Sequence, residues 1–185
     1  FEINTPSRYG IELWEALIKN GNQFGLTPYG TEAMHVLRAE RGFIIVGQET
    51  DGTVSPIDLG MDWIISKKKK DFIGKRSLER ASMKQNDRKE LVGLLSDDPN
   101  TVIPEGAHAI DEKDLELEEK NILGHVTSSY FSSNCKRSIA MALIKNGRAR
   151  KGNKLVIPLL NGDKIKAKIV NPVFFDPNGV RKNGI

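Results

Sequence analysis

Lys154-Leu155-Val156-Ile157-Pro158, a break around Asn161-Gly162, and Lys164-Ile165-Lys166-Ala167-Lys168-Ile169-Val170 form the stretch that decides the fold. Ile165, Ala167 and Ile169 alternate with Lys164, Lys166 and Lys168, so an extended chain carries an apolar face and a lysine face. Asn-Gly is the dipeptide a tight hairpin turn prefers, because both residues enter left-handed conformations at low cost. The stretch therefore reads as a hairpin. Leu155, Ile157, Ile165, Ala167 and Ile169 face a core, and the three lysines face solvent. A slip of one residue would exchange the two faces.

Working outward, four more segments have strand character: Leu91 to Leu95, Ala107 to Ile110, Ile122 to Thr127 and Ser138 to Ile144. Gly106 and Asn146-Gly147 punctuate them as turns. Regularly spaced strands without long helices predict a small antiparallel barrel or sandwich. The acidic stretch Asp111 to Lys120 reads as a surface loop. Ser82 to Arg88 is polar and unpatterned, and a domain boundary is placed there, giving domains 1–84 and 88–185.

The first domain reads differently. A helix is expected from Pro6 to Asn20, with Thr5 as N-cap and Gly21 as a left-handed stop. Ile11, Trp14, Leu17 and Ile18 share one face of it at helical spacing. A second helix is expected from Thr31 to Glu40, ending at Gly42, and the apolar run Phe43 to Val46 reads as a buried strand. Asp51-Gly52 marks a turn, Leu59 to Ile65 is apolar, and a short helix through Leu78 to Ala81 follows Asp71-Phe72-Ile73-Gly74. The chain as a whole is of the α+β class.

Composition narrows the function classes. Among 185 residues, 38% are apolar and 28% charged, the range of an ordinary globular protein. No run approaches the length of a membrane helix. The single cysteine, Cys135, excludes an intrachain disulfide and a thiolate zinc site, which fits a reducing cytoplasm. The net charge of +4 is interspersed and aromatic residues are only 6%, which argues against a nucleic-acid binder. No phosphate-binding glycine loop, dinucleotide fingerprint, zincin motif or nucleophile elbow is present.

His35, His108 and His125 are far apart in sequence and read as ordinary surface or strand histidines, so no metal site is expected. Cys135, in a polar loop, reads as a bystander thiol. Lys67 to Lys70 reads as a solvated face, with attraction of a polyanion as its functional reading. Trp14 and Trp63 read as core, and Trp63 has a second reading as a ring that stacks on a ligand. Arg38 stands in the last turn of the second helix, where a guanidinium could clamp a carboxylate or a heterocycle edge with paired hydrogen bonds.

Leu37-Arg38-Ala39-Glu40-Arg41-Gly42 resembles the Leu-Arg-x-Glu-x-Gly segment of the aminomethyltransferase family, the folate-dependent T-protein of glycine cleavage and its relatives. Pro56-Ile57-Asp58-Leu59-Gly60-Met61-Asp62-Trp63 resembles that family's Pro-x-Glu-x-x-Leu-x-Trp stretch. Asp71-Phe72-Ile73-Gly74, Gly124-His125-Val126-Thr127-Ser128 and Ile139-Ala140-Met141-Ala142 are similar to three further family signatures in the same order. Gly47-Gln48-Glu49-Thr50-Asp51-Gly52 and Pro172 to Gly179 are most similar to the sarcosine oxidase alpha-subunit branch. The T-protein itself carries Tyr-Gly-Asn-Asp where this chain has Val46-Gly47-Gln48-Glu49.

The resemblance implies a fold and a function. Residues 1–84 would be the C-terminal portion of the folate-binding body, and 88–185 a six-stranded antiparallel β-barrel. Phe1-Glu2-Ile3 matches the end of a longer family motif, which implies a piece of a larger polypeptide with its catalytic aspartate upstream. Arg38, Glu40 and Trp63 would bind tetrahydrofolate, which captures the one-carbon unit of sarcosine oxidation as 5,10-methylenetetrahydrofolate. Flavin and NAD would sit elsewhere in the intact complex, on other parts and other subunits, and this piece alone would be inactive. The rival readings are a stand-alone glycine-cleavage aminomethyltransferase, a non-enzymatic folate binder, and a polyanion- or RNA-binding barrel favoured only by the lysine run and the basic charge.

Overall fold

The computed structural model describes residues 2–117 and 121–181. Phe1, which opens the family match, and residues 118–120 of the acidic stretch lie outside the described residues. The chain divides into two compact units, Phe1–Met34 and His35–Ile185.

In the first unit a 3-10 turn over Ser7–Tyr9 leads into helix α1, Gly10–Gly21. The helix starts later than expected. Pro6 is the residue flanking the 3-10 turn, and no side chain caps it, so Thr5 is not an N-cap. Nor does Gly21 stop the chain in a left-handed conformation. The helix runs on into a 3-10 turn, Asn22–Phe24, and Gly25 supplies the positive φ of 70°. Trp14, expected in the core, is 55% exposed, because a unit with one amphipathic helix has no second face on which to bury it.

Helix α2 spans Thr31–Glu40 as expected. Phe43 to Val46 is not a buried strand: Phe43 is 61% and Val46 85% exposed. Two of its backbone donors are taken locally: the Phe43 amide donates to the Arg38 carbonyl and the Ile45 amide to the Glu49 carboxylate, so the donors of one edge are not offered to a ladder. A short helix α3, Lys75–Leu78, follows Gly74, and the expected continuation to Ala81 is a separate 3-10 turn, Ala81–Met83.

The six expected strands all form: β1 Lys89–Ser96, β2 His108–Asp111, β3 Ile122–Ser132, β4 Arg137–Lys145, β5 Lys154–Pro158 and β6 Lys164–Val170. They close an antiparallel barrel in the order β1-β4-β3-β2-β5-β6. The deciding hairpin has the expected register, with Leu155 opposite Ala167 and Ile157 opposite Ile165. Leu155, Ile157, Ile165, Ala167 and Ile169 are buried in the barrel, and Lys164, Lys166 and Lys168 are exposed.

Strands β1 and β4 are buried on both faces. Val92, Leu94, Ala140, Ala142 and Ile144 fill the barrel interior. Their alternates Leu91, Ile139, Met141 and Leu143 form a second apolar cluster outside it, with Ala39, Ile44, Val54 and Leu59 packed there. The end of α2 and the chain after it thus cover one side of the barrel, and that covered side positions the site.

Strand β3 is five residues longer than the expected Ile122 to Thr127. Ser128, Ser129 and Ser132 in the added part are buried, and their hydroxyls have partners. Two of those partners are carboxylates from the α2 region, which nothing local in the sequence announces.

Candidate functional site

The chain leaves α2 through a left-handed Gly42, with φ +68°. A Cβ there would come within 2.8 Å of the Pro172 carbonyl oxygen, so the position takes glycine for conformation and for space. Around this exit lie two buried polar networks and, beyond them, a groove.

The first network centres on Arg38, whose side chain is only 10% exposed. One terminal nitrogen is 2.9 Å from the carboxylate of the fully buried Glu49 and also donates to the Phe43 carbonyl at 3.1 Å. The other donates to Ser128 at 2.6 Å and to the Gln48 side-chain oxygen at 3.3 Å. Ser128 passes its own proton to Glu49, and Gln48 donates to the Thr127 carbonyl at 2.9 Å. The planar fork of arginine meets acceptors in two directions at once, which a lysine ammonium on one stem does not.

The second network centres on Glu40, 2% exposed. Its carboxylate accepts from the Ser132 hydroxyl at 2.6 Å and from the Asn134 amide at 2.8 Å. Its backbone carbonyl accepts from the amides of Phe174 and Phe175 at 2.9 and 3.0 Å. Glu40 therefore pins both the β3–β4 turn and the segment after β6 to the end of α2. Arg41, the next residue, pairs with Asp176 at 3.2 Å in the same segment.

These anchors frame a groove of about 710 Å³. Leu59, Met61, Leu91, Val92 and Val173 contribute apolar surface, and Trp63 and Phe43 line it while staying 75% and 61% exposed. Arg41, Arg148 and Lys151 bring positive charge, and no carboxylate is among the lining residues. Arg148 is held in place by the Asp58 carbonyl at 2.7 Å and by Glu90 at 3.4 Å. Asp58 itself receives the Arg88 guanidinium at 2.8 Å. Burial alone would raise its carboxyl, but the bonds from Arg88 and Ser55 outweigh it and hold the group below the usual carboxylate value.

Of the residues marked by the sequence, Trp63 lines the groove and is not core. Arg38 and Glu40 are not among its lining residues; they hold its walls from behind, Arg38 through Phe43 and Glu40 through the chain next to Pro172 and Val173. Arg41 stands in the same motif and Phe43 directly after it, and nothing in their spacing marks either as a groove residue. Arg148 and Lys151 carry no local signal and reach the groove only through barrel closure. His108 and His125, far apart in sequence, are register partners on β2 and β3. Burial first, then Lys89 and His108, hold the His125 imidazole below its ordinary value against the opposing pull of Asp51. Chemically the groove suits a flat aromatic body with an anionic end: exposed rings to stack on, an apolar floor, and three cations at its rim, two of them held by the carboxylates of Asp176 and Glu90.

Comparison with known proteins bears on the family and the fold. Residues 1–69 match the GCVT N-terminal domain and residues 89–176 the glycine cleavage T-protein C-terminal barrel domain. The chain is 48% identical over all 185 residues to sarcosine oxidase subunit alpha of Corynebacterium sp. (strain P-1), of which it covers 19%. It is 38% identical to that of Rhizobium meliloti (strain 1021), over 98% of this chain and 18% of the relative. It is also 32% identical to the aminomethyltransferase of Thermoanaerobacter pseudethanolicus, over 96% of this chain and 46% of that protein. The crystal structure of glycine cleavage system aminomethyltransferase T from Bartonella henselae superposes with a TM-score of 0.77 at 24% identity. That superposition covers 93% of this chain and 45% of the other, and it is a likeness of fold. The chain thus spans about a fifth of its sarcosine oxidase relatives and under half of the aminomethyltransferases.

Proposed function

We propose, since the chain belongs to the glycine cleavage T-protein family of aminomethyltransferases, that its groove is part of a tetrahydrofolate site in a sarcosine oxidase-type alpha subunit. The observation that carries this reading is the groove itself, where Trp63 and Phe43 stand exposed over an apolar floor beside Arg41, Arg148 and Lys151. Folate has the matching form, a fused heteroaromatic ring and a carboxylate-bearing tail. Trp63 is the contact residue in this reading. Arg38 and Glu40 are positioning residues that set the walls.

Bound tetrahydrofolate would take up the one-carbon unit of sarcosine oxidation and leave as 5,10-methylenetetrahydrofolate. The flavin and NAD of such an enzyme would be held by its other parts and subunits. Residues 1–84 are read as the end of the folate-binding body and 88–185 as the barrel domain. The family matches support that division, the first ending at 69 and the second beginning at 89, where β1 starts.

The test uses the intact enzyme. Trp63→Ala should leave sarcosine consumption unchanged while the one-carbon product shifts from methylenetetrahydrofolate toward free formaldehyde at limiting folate. An unchanged product ratio, with unchanged folate affinity, would remove the groove from the folate path.

A further inference from the structure

The lysine run has no part in the groove. Residues 67 to 84 carry eight lysines and arginines against only Asp71 and Glu79, a net charge of +6 in a chain whose total is +4. Lys67 to Lys70 are all exposed. None of the eight pairs with a carboxylate among the described residues.

Beside this strip lies a second groove of about 490 Å³, with Ile64, Ile65, Phe72, Leu78 and Met83 on its walls and Lys69 among its lining residues. Ile73 also lines it and is fully exposed, held out on the tight turn before Gly74, whose φ is +94°. Ile64 is 49% exposed. An exposed apolar hollow with a polar rim is the pattern of a protein docking site, and charge of one sign beside it steers a partner of the opposite sign. A nucleic-acid backbone would satisfy the lysines but bring nothing apolar to Ile73. A flat lipid surface would not fill a concave groove.

We propose that residues 64–84 are a docking surface for a partner subunit, taking an acidic segment whose apolar side chain seats in the groove beside Ile73. This rests on reading the chain as part of a multi-subunit enzyme, which its similarity to proteins named as alpha subunits supports. It does not depend on the folate assignment.

The experiment uses the full-length subunit expressed with its partner subunits. Carbodiimide coupling joins amines to carboxylates in direct contact, and mass spectrometry should find Lys67 to Lys70 joined to Asp or Glu of a partner. Reversal of all four lysines to Glu, and separately Ile73→Asp, should each weaken assembly about tenfold or more by sedimentation velocity. The wild type should lose affinity with added salt more steeply than the charge-reversed variant. Ile73→Ser and Lys→Gln variants, with unfolding midpoints, separate lost docking from lost folding.

Binding of 5-formyltetrahydrofolate should not change in any of these variants, which keeps this claim apart from the folate reading. Normal assembly in both variants overturns the proposal, as does coupling confined to the chain itself. Loss of binding to a single-stranded oligonucleotide or to phosphatidylserine vesicles, with assembly intact, would also overturn it and assign the strip to a polyanion or a membrane.

Discussion

Arg38 turns its guanidinium inward, onto a carboxylate with no exposure at all. Removing one partner of a buried pair leaves the other charge uncompensated, at a cost of about 3–5 kcal/mol. Arg38→Ala should therefore destabilise the protein by that amount in urea unfolding. Arg38→Met combined with Glu49→Gln should cost clearly less, because no orphan charge remains. Arg38→Lys should recover only part of the loss, since one ammonium cannot reach Glu49, Ser128 and Gln48 together. Unchanged stability in Arg38→Ala would make the pair ornamental. The sequence marked Arg38 as special but not its direction, because Ser128 lies 90 residues away and is reached only across the closed barrel.

At the scale of elements, the local sequence is enough where an element carries its own determinants. The β5–β6 hairpin carries its turn, its alternation and its register within seventeen residues, and helix α2 carries its own glycine stop. Elements defined by distant partners were harder. Phe43 to Val46 has the composition of a strand but loses its backbone donors to Arg38 and Glu49. The end of β3 looks like a loop but extends because Glu49 and Glu40 satisfy Ser128 and Ser132. Gly124 shows what a signature glycine is for. A Cβ there would fall 1.8 Å from the Leu143 carbonyl oxygen on β4. Gly124→Ala should force β3 and β4 apart and destabilise the barrel by about 1–3 kcal/mol or more, read as a lower urea midpoint. An unaltered midpoint would show that this close approach is not obligatory.

For the whole molecule, pH sets one limit on stability. The His125 imidazole is held below the 6.5 of a free histidine, so the unfolded chain takes up its proton first as pH falls. The resulting contribution is complete above 6.5 and is lost as pH falls through the lower folded value. The melting temperature should decline as the solution is acidified from neutrality, and less so in His125→Gln. Equal slopes would assign the decline to other groups. The central claim, however, is that the groove beside α2 receives folate. Trp14 and Trp63 are the only tryptophans of these 185 residues, and the difference between a full-length subunit and its Trp63→Phe variant isolates the Trp63 signal from every other indole. Titrating the full-length subunit with 5-formyltetrahydrofolate should quench the Trp63 component of its fluorescence saturably. Trp63→Phe should abolish the signal with a modest loss of affinity, and Trp63→Ala should weaken binding about two- to tenfold, the range of one aromatic stacking contact. Saturable folate binding that leaves Trp63 fluorescence and affinity untouched would contradict the account.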